Sequence, residues 1–120
     1  MAKKILIIED EQTLVRALEQ MLKEKGYETS VATDGEEGWE KINSFNPDLI
    51  LLDLILPKMD GFSVLHKMKE NNLTDNIPVV VMTNLSDVSE KVMSLGATNC
   101  LIKSDLSVDD IQGVVQEKLK

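Results

Sequence analysis

The chain has 120 residues, of which 42% are hydrophobic and 28% charged, and a formal net charge of −8. Its length accommodates one folded domain, so we expect a single domain over residues 1–120. The apolar runs are far shorter than the roughly 20 residues of a membrane span, and the N-terminal run is too short for a signal peptide, so we expect a cytoplasmic protein without membrane contact. The negative charge argues against direct binding of nucleic acid.

Apolar runs alternate with segments of helical spacing along the whole chain. Continuous aliphatic runs at 5–8, 49–52 and 79–82 are typical of strands that are buried on both faces of a parallel sheet. Weaker runs at 29–32 and 100–102 predict edge strands. The segments that follow each strand repeat apolar residues every three or four positions. The sequence therefore predicts five strands and five helices in strict alternation.

Residues that start or stop helices stand between these segments. Acidic or hydroxyl side chains predict N-caps, some with the spacing of a capping box, and glycines predict helix ends. The predicted capping boxes are Asp34 with Glu37 and Asp87 with Glu90, the helix-ending glycines are Gly26 and Gly96, and the other N-caps are Asp60 and Ser107.

Alternating strands and helices in one small domain predict a doubly wound α/β fold with right-handed crossovers. The strongest apolar runs belong in the middle of the sheet, because central strands are covered on both faces. This reasoning places the first, third and fourth strands at the centre and gives a five-stranded parallel sheet of order 2-1-3-4-5, flanked by five helices, in a flavodoxin-like arrangement.

Polar residues stand where the predicted strands end. Glu9 and Asp10 follow the first strand, Asp53 ends the third, Thr83 ends the fourth and Lys103 follows the fifth. Parallel strands end at one edge, so the fold gathers these side chains. Three close carboxylates must hold a proton or a cation, and their oxygens suit Mg²⁺. The lysine and the hydroxyl suit phosphoryl oxygens, with Asp53 as the nucleophile.

These motifs resemble the CheY-like receiver domain of two-component response regulators, over the range 5–119. The resemblance rests on the acidic pair in Ile-Ile-Glu-Asp-Glu and on the block Asp-Leu-Ile-Leu-Pro-Lys-Met-Asp-Gly at 53–61. It also rests on Thr83 after a run of valines and on Lys103 after Cys-Leu-Ile. The resemblance implies a phosphorylation switch rather than an enzyme with a separate substrate.

The resemblance also implies roles for individual residues. Asp53 would accept a phosphoryl group from a histidine of a sensor kinase or a phosphotransfer protein. Asp10 and Asp53 would bind Mg²⁺ directly, Glu9 would act through water, and the backbone carbonyl of Ile55 would complete the protein ligands.

Thr83 and Lys103 would contact the phosphoryl oxygens, as the same resemblance implies. Movement of their loops would shift the face formed by the fourth helix, the fifth strand and the fifth helix, and so change the affinity for a downstream partner.

Two positions depart from the family pattern. Cys100 stands where the family usually has an aromatic switch residue, and Ser104 stands where a proline usually follows the lysine. Whether the Lys103–Ser104 peptide bond is cis or trans is open at this point. These departures support an alternative, namely a receiver-like module that binds partners without accepting phosphate.

Two enzyme classes on related sheets are further alternatives. A dehalogenase-type phosphatase needs a second acid two residues after the nucleophile, where this chain has Ile55. A flavodoxin needs a phosphate-binding loop after the first strand, where residues 9–11 are all acidic. The chain could also be one part of a longer regulator.

The residues two positions after Asp53 and Thr83 suggest a hypothesis about the lifetime of the phosphorylated state. Both Ile55 and Leu85 are bulky and apolar. We expect them to exclude the hydrolytic water or to leave it unoriented, which would make the acyl phosphate long-lived.

Overall fold

The computed structural model describes residues 1–120 and confirms the alternation of strands and helices. The strands are β1 (Lys4–Ile8), β2 (Glu28–Ala32), β3 (Leu49–Asp53), β4 (Val79–Thr83) and β5 (Asn99–Ile102). The helices are α1 (Gln12–Glu24), α2 (Gly35–Phe45), α3 (Gly61–Glu70), α4 (Ser89–Ser94) and α5 (Val108–Lys118). A short 3₁₀ turn, Lys103–Asp105, follows β5 and was not predicted from the sequence.

The five strands are parallel and lie in the order β2-β1-β3-β4-β5, which confirms the predicted topology. Ile8 of β1 pairs with Leu52 of β3, and Thr83 of β4 pairs with Ile102 of β5. Neighbouring strands therefore end nearly level with one another. This register brings the residues that follow β1 and β5 to the same edge as the ends of β3 and β4.

Alternation along each strand divides the core into two halves. Ile5 and Ile7 pack on one face of the sheet with apolar residues of α1 and α5, and Leu6 and Ile8 pack on the other face with α2, α3 and α4. Every residue of β3 and β4 is buried, because helices cover both faces of the sheet. None of the helices has the length and apolar composition that a membrane crossing requires.

Most of the predicted helix ends are confirmed. The side chain of Asp60 accepts a hydrogen bond of 2.8 Å from the backbone N–H three residues later. Ser107 forms a complete capping box, in which its hydroxyl accepts from the N–H of Asp110 and the Asp110 carboxylate accepts from the N–H of Ser107. Gly26 and Gly96 end their helices with φ of 92° and 100°, a conformation that side chains disfavour.

Two predicted capping boxes differ from the structure. Asp34 caps α2 by accepting from the N–H of Glu37, but the Glu37 carboxylate accepts from Thr33 instead of from Asp34. The predicted box at the start of α4 is wrong. Asp87 has a left-handed conformation with φ of 58°, and the N-cap of α4 is Val88, which has no side-chain hydrogen bond to the helix. A capping side chain typically comes from a residue with an extended backbone, as at Asp34 and Asp60, and Asp87 lacks that conformation.

Candidate functional site

Three acidic side chains meet at the edge of the sheet where β1 and β3 end. Carboxylate oxygens of Glu9, Asp10 and Asp53 all lie within 4.8 Å of one another. Glu9 is completely buried, Asp53 is 5% exposed, and Asp10 is exposed. The register between β1 and β3 brings them together, although 43 residues or more separate Asp53 from the other two in the chain.

The Asp53 carboxylate is fixed by its own backbone. The N–H of Leu54 donates to Oδ1 at 2.7 Å and that of Ile55 at 3.4 Å, while Oδ2 lies 3.4 Å from the Nζ atom of Lys103. Gly61, the first residue of α3, packs directly against the Asp53 backbone, and its N–H donates to the Leu54 carbonyl. One carboxylate oxygen is thus anchored and the other faces a cation.

Lys103 reaches from the end of β5 into the acidic cluster. Its ammonium lies 2.7 Å from Glu9 Oε1, 3.4 Å from Asp53 Oδ2 and 3.6 Å from Glu11 Oε2. Burial alone would lower the pKa of Lys103, but its hydrogen bond to Glu9 and the nearby negative charges outweigh burial and raise that pKa. Lys103 is therefore firmly protonated at neutral pH.

Glu9 is the most enclosed acid of the cluster. Burial raises the pKa of its carboxyl, the hydrogen bond from Lys103 opposes that shift, and the charge of Asp53 adds to it. Its second oxygen, Oε2, accepts from the N–H of Glu11 at 3.1 Å. Glu11 itself was not predicted as a site residue. Its place directly after the acidic pair was the one sequence signal that pointed to it.

The donor set fits a hard divalent cation. Three carboxylates and one ammonium leave two net negative charges in the cluster, which a divalent ion would neutralise. All available side-chain ligands are oxygens, as Mg²⁺ and Ca²⁺ require, and Mg²⁺ commonly needs only one or two carboxylates. Exposed Asp10 leaves the cluster open to solvent on one side, so an ion can enter.

Thr83 and Lys103 begin two loops that lie side by side. Thr83 is completely buried, and its hydroxyl accepts from the N–H of Leu85 at 3.1 Å. The next residue, Asn84, reaches the other loop, where its Oδ1 accepts from the N–H of Ser104 at 2.8 Å. The Lys103–Ser104 peptide bond is trans, as are all others in the chain. No motif or spacing in the chain predicted the contact made by Asn84.

The sequence also singled out Ile55 and Cys100, which lie in the loop after β3 and on β5. The Ile55 side chain is 60% exposed in the loop between β3 and α3, so solvent reaches it freely. Cys100 is half-buried on β5 and packs against the core on the side of α2, α3 and α4. Burial raises the pKa of its thiol, and a hydrogen bond from Ser89 opposes that shift. No aromatic ring occupies the Cys100 position.

Comparison with known proteins identifies the family. The model of the response regulator receiver domain matches residues 5–116, so the chain belongs to that family. It is 40% identical over 102 residues to the response regulator ArlR of Staphylococcus saprophyticus, covering 83% of this chain and 45% of that protein. It is 37% identical over 105 residues to the alkaline phosphatase synthesis transcriptional regulatory protein PhoP of Bacillus subtilis, covering 86% of this chain and 43% of that protein.

A solved structure with a bound Mg²⁺-BeF complex shares the fold. The response regulator protein TrrA of Thermotoga maritima, in complex with Mg²⁺-BeF, superposes with a TM-score of 0.83 and 28% identity, over 97% of this chain and 98% of that one. The chain is a receiver domain of the two-component response regulators, a class of signalling switch with the CheY-like fold. It spans less than half the length of the two curated relatives.

Proposed function

We propose that Asp53 accepts a phosphoryl group and that this modification switches the binding surface of the domain. The observation that carries the proposal is the juxtaposition of the Asp53 carboxylate with two further acids within 4.8 Å and with a lysine ammonium at 3.4 Å. Receiver domains take phosphoryl groups from histidine kinases. A phosphohistidine of a sensor kinase or a phosphotransfer protein is accordingly the donor that we propose here.

The acidic cluster would hold Mg²⁺. Asp10 and Asp53 would be direct ligands, Glu9 would act through water, and the backbone carbonyl of Ile55 would supply the remaining protein ligand. The solved relative in complex with Mg²⁺-BeF supports this assignment, as does the all-oxygen donor set. The bound ion would neutralise charge on the phosphoryl oxygens and on the acidic cluster.

The transfer itself needs little beyond position and charge. A carboxylate oxygen of Asp53 forms a bond to phosphorus, the bond between phosphorus and the donor breaks, and the donor leaves with the electron pair of that bond. Lys103 is charged and already within reach of Asp53, so it offers a donor to one phosphoryl oxygen. Thr83 would donate its O–H to another phosphoryl oxygen, since its hydroxyl acts only as an acceptor toward the N–H of Leu85.

The switch would follow from the same two residues. An acyl phosphate carries more negative charge than a carboxylate and presents three acceptor oxygens, so it draws both donors toward itself. Thr83 begins the loop to α4, and Lys103 begins the turn to α5. Their movement would shift the face of α4, β5 and α5 and change the affinity for a downstream protein.

The proposal covers the whole chain as one domain and assigns no DNA contacts to it. We propose that residues 1–120 form one receiver domain of a cytoplasmic regulator. The relative PhoP is named as a transcriptional regulatory protein and is more than twice as long as the region matched by this chain. Where such relatives contact DNA, we assign those contacts to parts of the relatives outside the matched region. The net charge of −8 supports that division, because it repels a phosphate backbone.

A small phosphodonor tests the assignment. The chain is incubated with acetyl phosphate and Mg²⁺, and intact mass is measured for the parent, for Asp53→Asn and for Asp75→Asn. Asp75 is exposed and lies outside the cluster, so its variant controls for the loss of one carboxylate. We expect one added phosphate on the parent and on Asp75→Asn, and none on Asp53→Asn.

The other outcomes are equally informative. A phosphate on Asp53→Asn would move the acceptor to another residue. No phosphate on the parent, with the donor active on a known receiver domain, would favour the alternative of a module that binds partners without phosphorylation. Omitting Mg²⁺ should abolish the gain in the parent, and a gain without the ion would contradict the metal assignment.

A further inference from the structure

A single hydrogen bond connects the two loops that carry the donors to the phosphoryl group. The N–H of Ser104 donates to Oδ1 of Asn84 at 2.8 Å, across 20 residues of chain. Asn84 directly follows Thr83, and Ser104 directly follows Lys103. The bond therefore joins the immediate chain neighbours of Thr83 and Lys103.

The bond has a clear physical origin. The first N–H groups of any helical turn lack partners within the turn and need an outside acceptor. The 3₁₀ turn begins at Lys103, and its own N-cap, Ile102, has no side-chain cap. Thr83 and Ile102 are paired across the sheet, so Asn84 leaves β4 level with the start of this turn. Asn84 thus caps a turn that belongs to another loop.

The cap depends on two residue choices in this chain. A proline at position 104 would have no N–H to donate, and an alanine at 84 would have no acceptor. The turn it holds is otherwise closed by one long bond of 3.3 Å, from the N–H of Leu106 to the carbonyl of Lys103. The contact from Asn84 is accordingly a principal restraint on the backbone that aims the Lys103 side chain.

We propose that Asn84 is a positioning residue for phosphoryl transfer, acting through the Ser104 N–H to hold Lys103 over Asp53. The proposal rests on the proposed function and deepens it, because it assigns a role to a residue outside the reacting groups. The contact between Lys103 Nζ and Asp53 Oδ2 is 3.4 Å long, whereas the contact to Glu9 Oε1 is 2.7 Å. Small movements of the turn therefore affect the reach toward Asp53 first.

Removing the acceptor gives a quantitative expectation. Asn84→Ala should slow phosphorylation by acetyl phosphate at saturating Mg²⁺ by about twofold to tenfold, the range that one neutral hydrogen bond supports. The apparent affinity for Mg²⁺ should stay at the parent value, because the acidic cluster is untouched. The amide proton of Ser104 should exchange faster with solvent by NMR. Asn76→Ala, an exposed asparagine in a distant loop, is the matched control and should match the parent.

Removing the donor tests the same bond from its other end. Ser104→Pro eliminates the N–H that donates to Asn84. The double variant Asn84→Ala/Ser104→Pro should therefore be phosphorylated no more slowly than the slower of the two single variants, because both changes break the same bond. If the double variant instead slows phosphorylation by the product of the two single effects, the proposal is overturned. Ser104→Ala keeps the main-chain N–H and should retain the protection of the amide.

The outcomes separate this inference from the function on which it rests. If the parent gains phosphate and Asn84→Ala gains it at the same rate, the positioning role is refuted while the proposed function stands. If exchange of the Ser104 amide is unchanged in Asn84→Ala, the bond itself is refuted. If the parent gains no phosphate from an active donor, the proposed function fails, and the amide exchange still decides whether the bond exists.

Discussion

Gly61 is the position where a single methyl group should disturb the site most directly. A Cβ added at Gly61 would lie 2.2 Å from the carbonyl oxygen of Asp53 and 2.6 Å from the Cα atom of Leu54. To restore a separation of 3.0 Å, the Asp53 carbonyl must retreat by at least about 0.8 Å. Both atoms belong to backbone, which cannot rotate away as a flexible side chain would.

This displacement yields two magnitudes for Gly61→Ala. A shift near 1 Å in a reacting group costs on the order of 100-fold in rate, so phosphorylation of Asp53 should fall by about tenfold to a hundredfold. Overpacking of a buried position costs about 1–3 kcal/mol of unfolding free energy. A domain with about 5–15 kcal/mol of stability remains folded after that loss, so the rate can still be measured.

The control variant is made at a glycine where an added Cβ meets no other atom. A Cβ at Gly113 would meet nothing within 4 Å, and the residue is exposed in the interior of α5. Gly113→Ala should therefore raise the unfolding free energy by about 0.5–1 kcal/mol and leave the phosphorylation rate at the parent value. Urea unfolding gives the stabilities, and intact mass after timed exposure to acetyl phosphate and Mg²⁺ gives the rates. Gly61→Ala with the stability and rate of the parent would refute the packing argument.

Three further predictions concern the ion, the hydrolytic water and a helix cap. Mg²⁺ at ten times its Kd should raise the unfolding free energy of the parent by about 1.4 kcal/mol, which is seen as a rise of several degrees in Tm. An equal rise in Asp10→Asn would contradict the assignment of Asp10 as a ligand. The double variant Ile55→Asn/Leu85→Glu should lose its phosphate faster than the parent, followed as the decay of the phosphorylated mass, because polar groups can orient water; equal or slower decay would count against the idea. The hydrogen bond from the Ser107 backbone lowers the pKa of Asp110 in the folded state. The Asp110 carboxylate therefore stabilises the fold above pH 3.8, and this stabilisation is lost as the pH falls through the lowered pKa of the folded state. The Tm advantage of the parent over Asp110→Asn should shrink over that acid range, and a constant difference would show that the carboxylate contributes nothing.

The strands and their order could be predicted because local pattern carries that information. Unbroken apolar runs such as 49–52 identify strands that are buried on both faces, and the edge runs are visibly weaker. The N-caps at Asp60 and Ser107 were predictable for the same reason, since each involves residues three positions apart. Asp87 shows where local pattern fails, because its backbone is left-handed and the N-cap of α4 is the next residue, Val88.

The pattern of residues along the chain was enough to predict that acids, a hydroxyl and a lysine gather at one edge of the sheet, because the carboxyl ends of parallel strands all lie there. Which of these side chains pair with one another became visible only in the folded molecule. Glu9, not Asp53, holds Lys103 at the shorter distance, Glu11 joins the same ammonium, and Asn84 caps a turn in another loop. These contacts depend on the paths of loops between residues up to 94 positions apart, and no local repeat encodes such a path. Strand periodicity sets which residues meet at an edge, whereas packing of the loops sets which atoms touch.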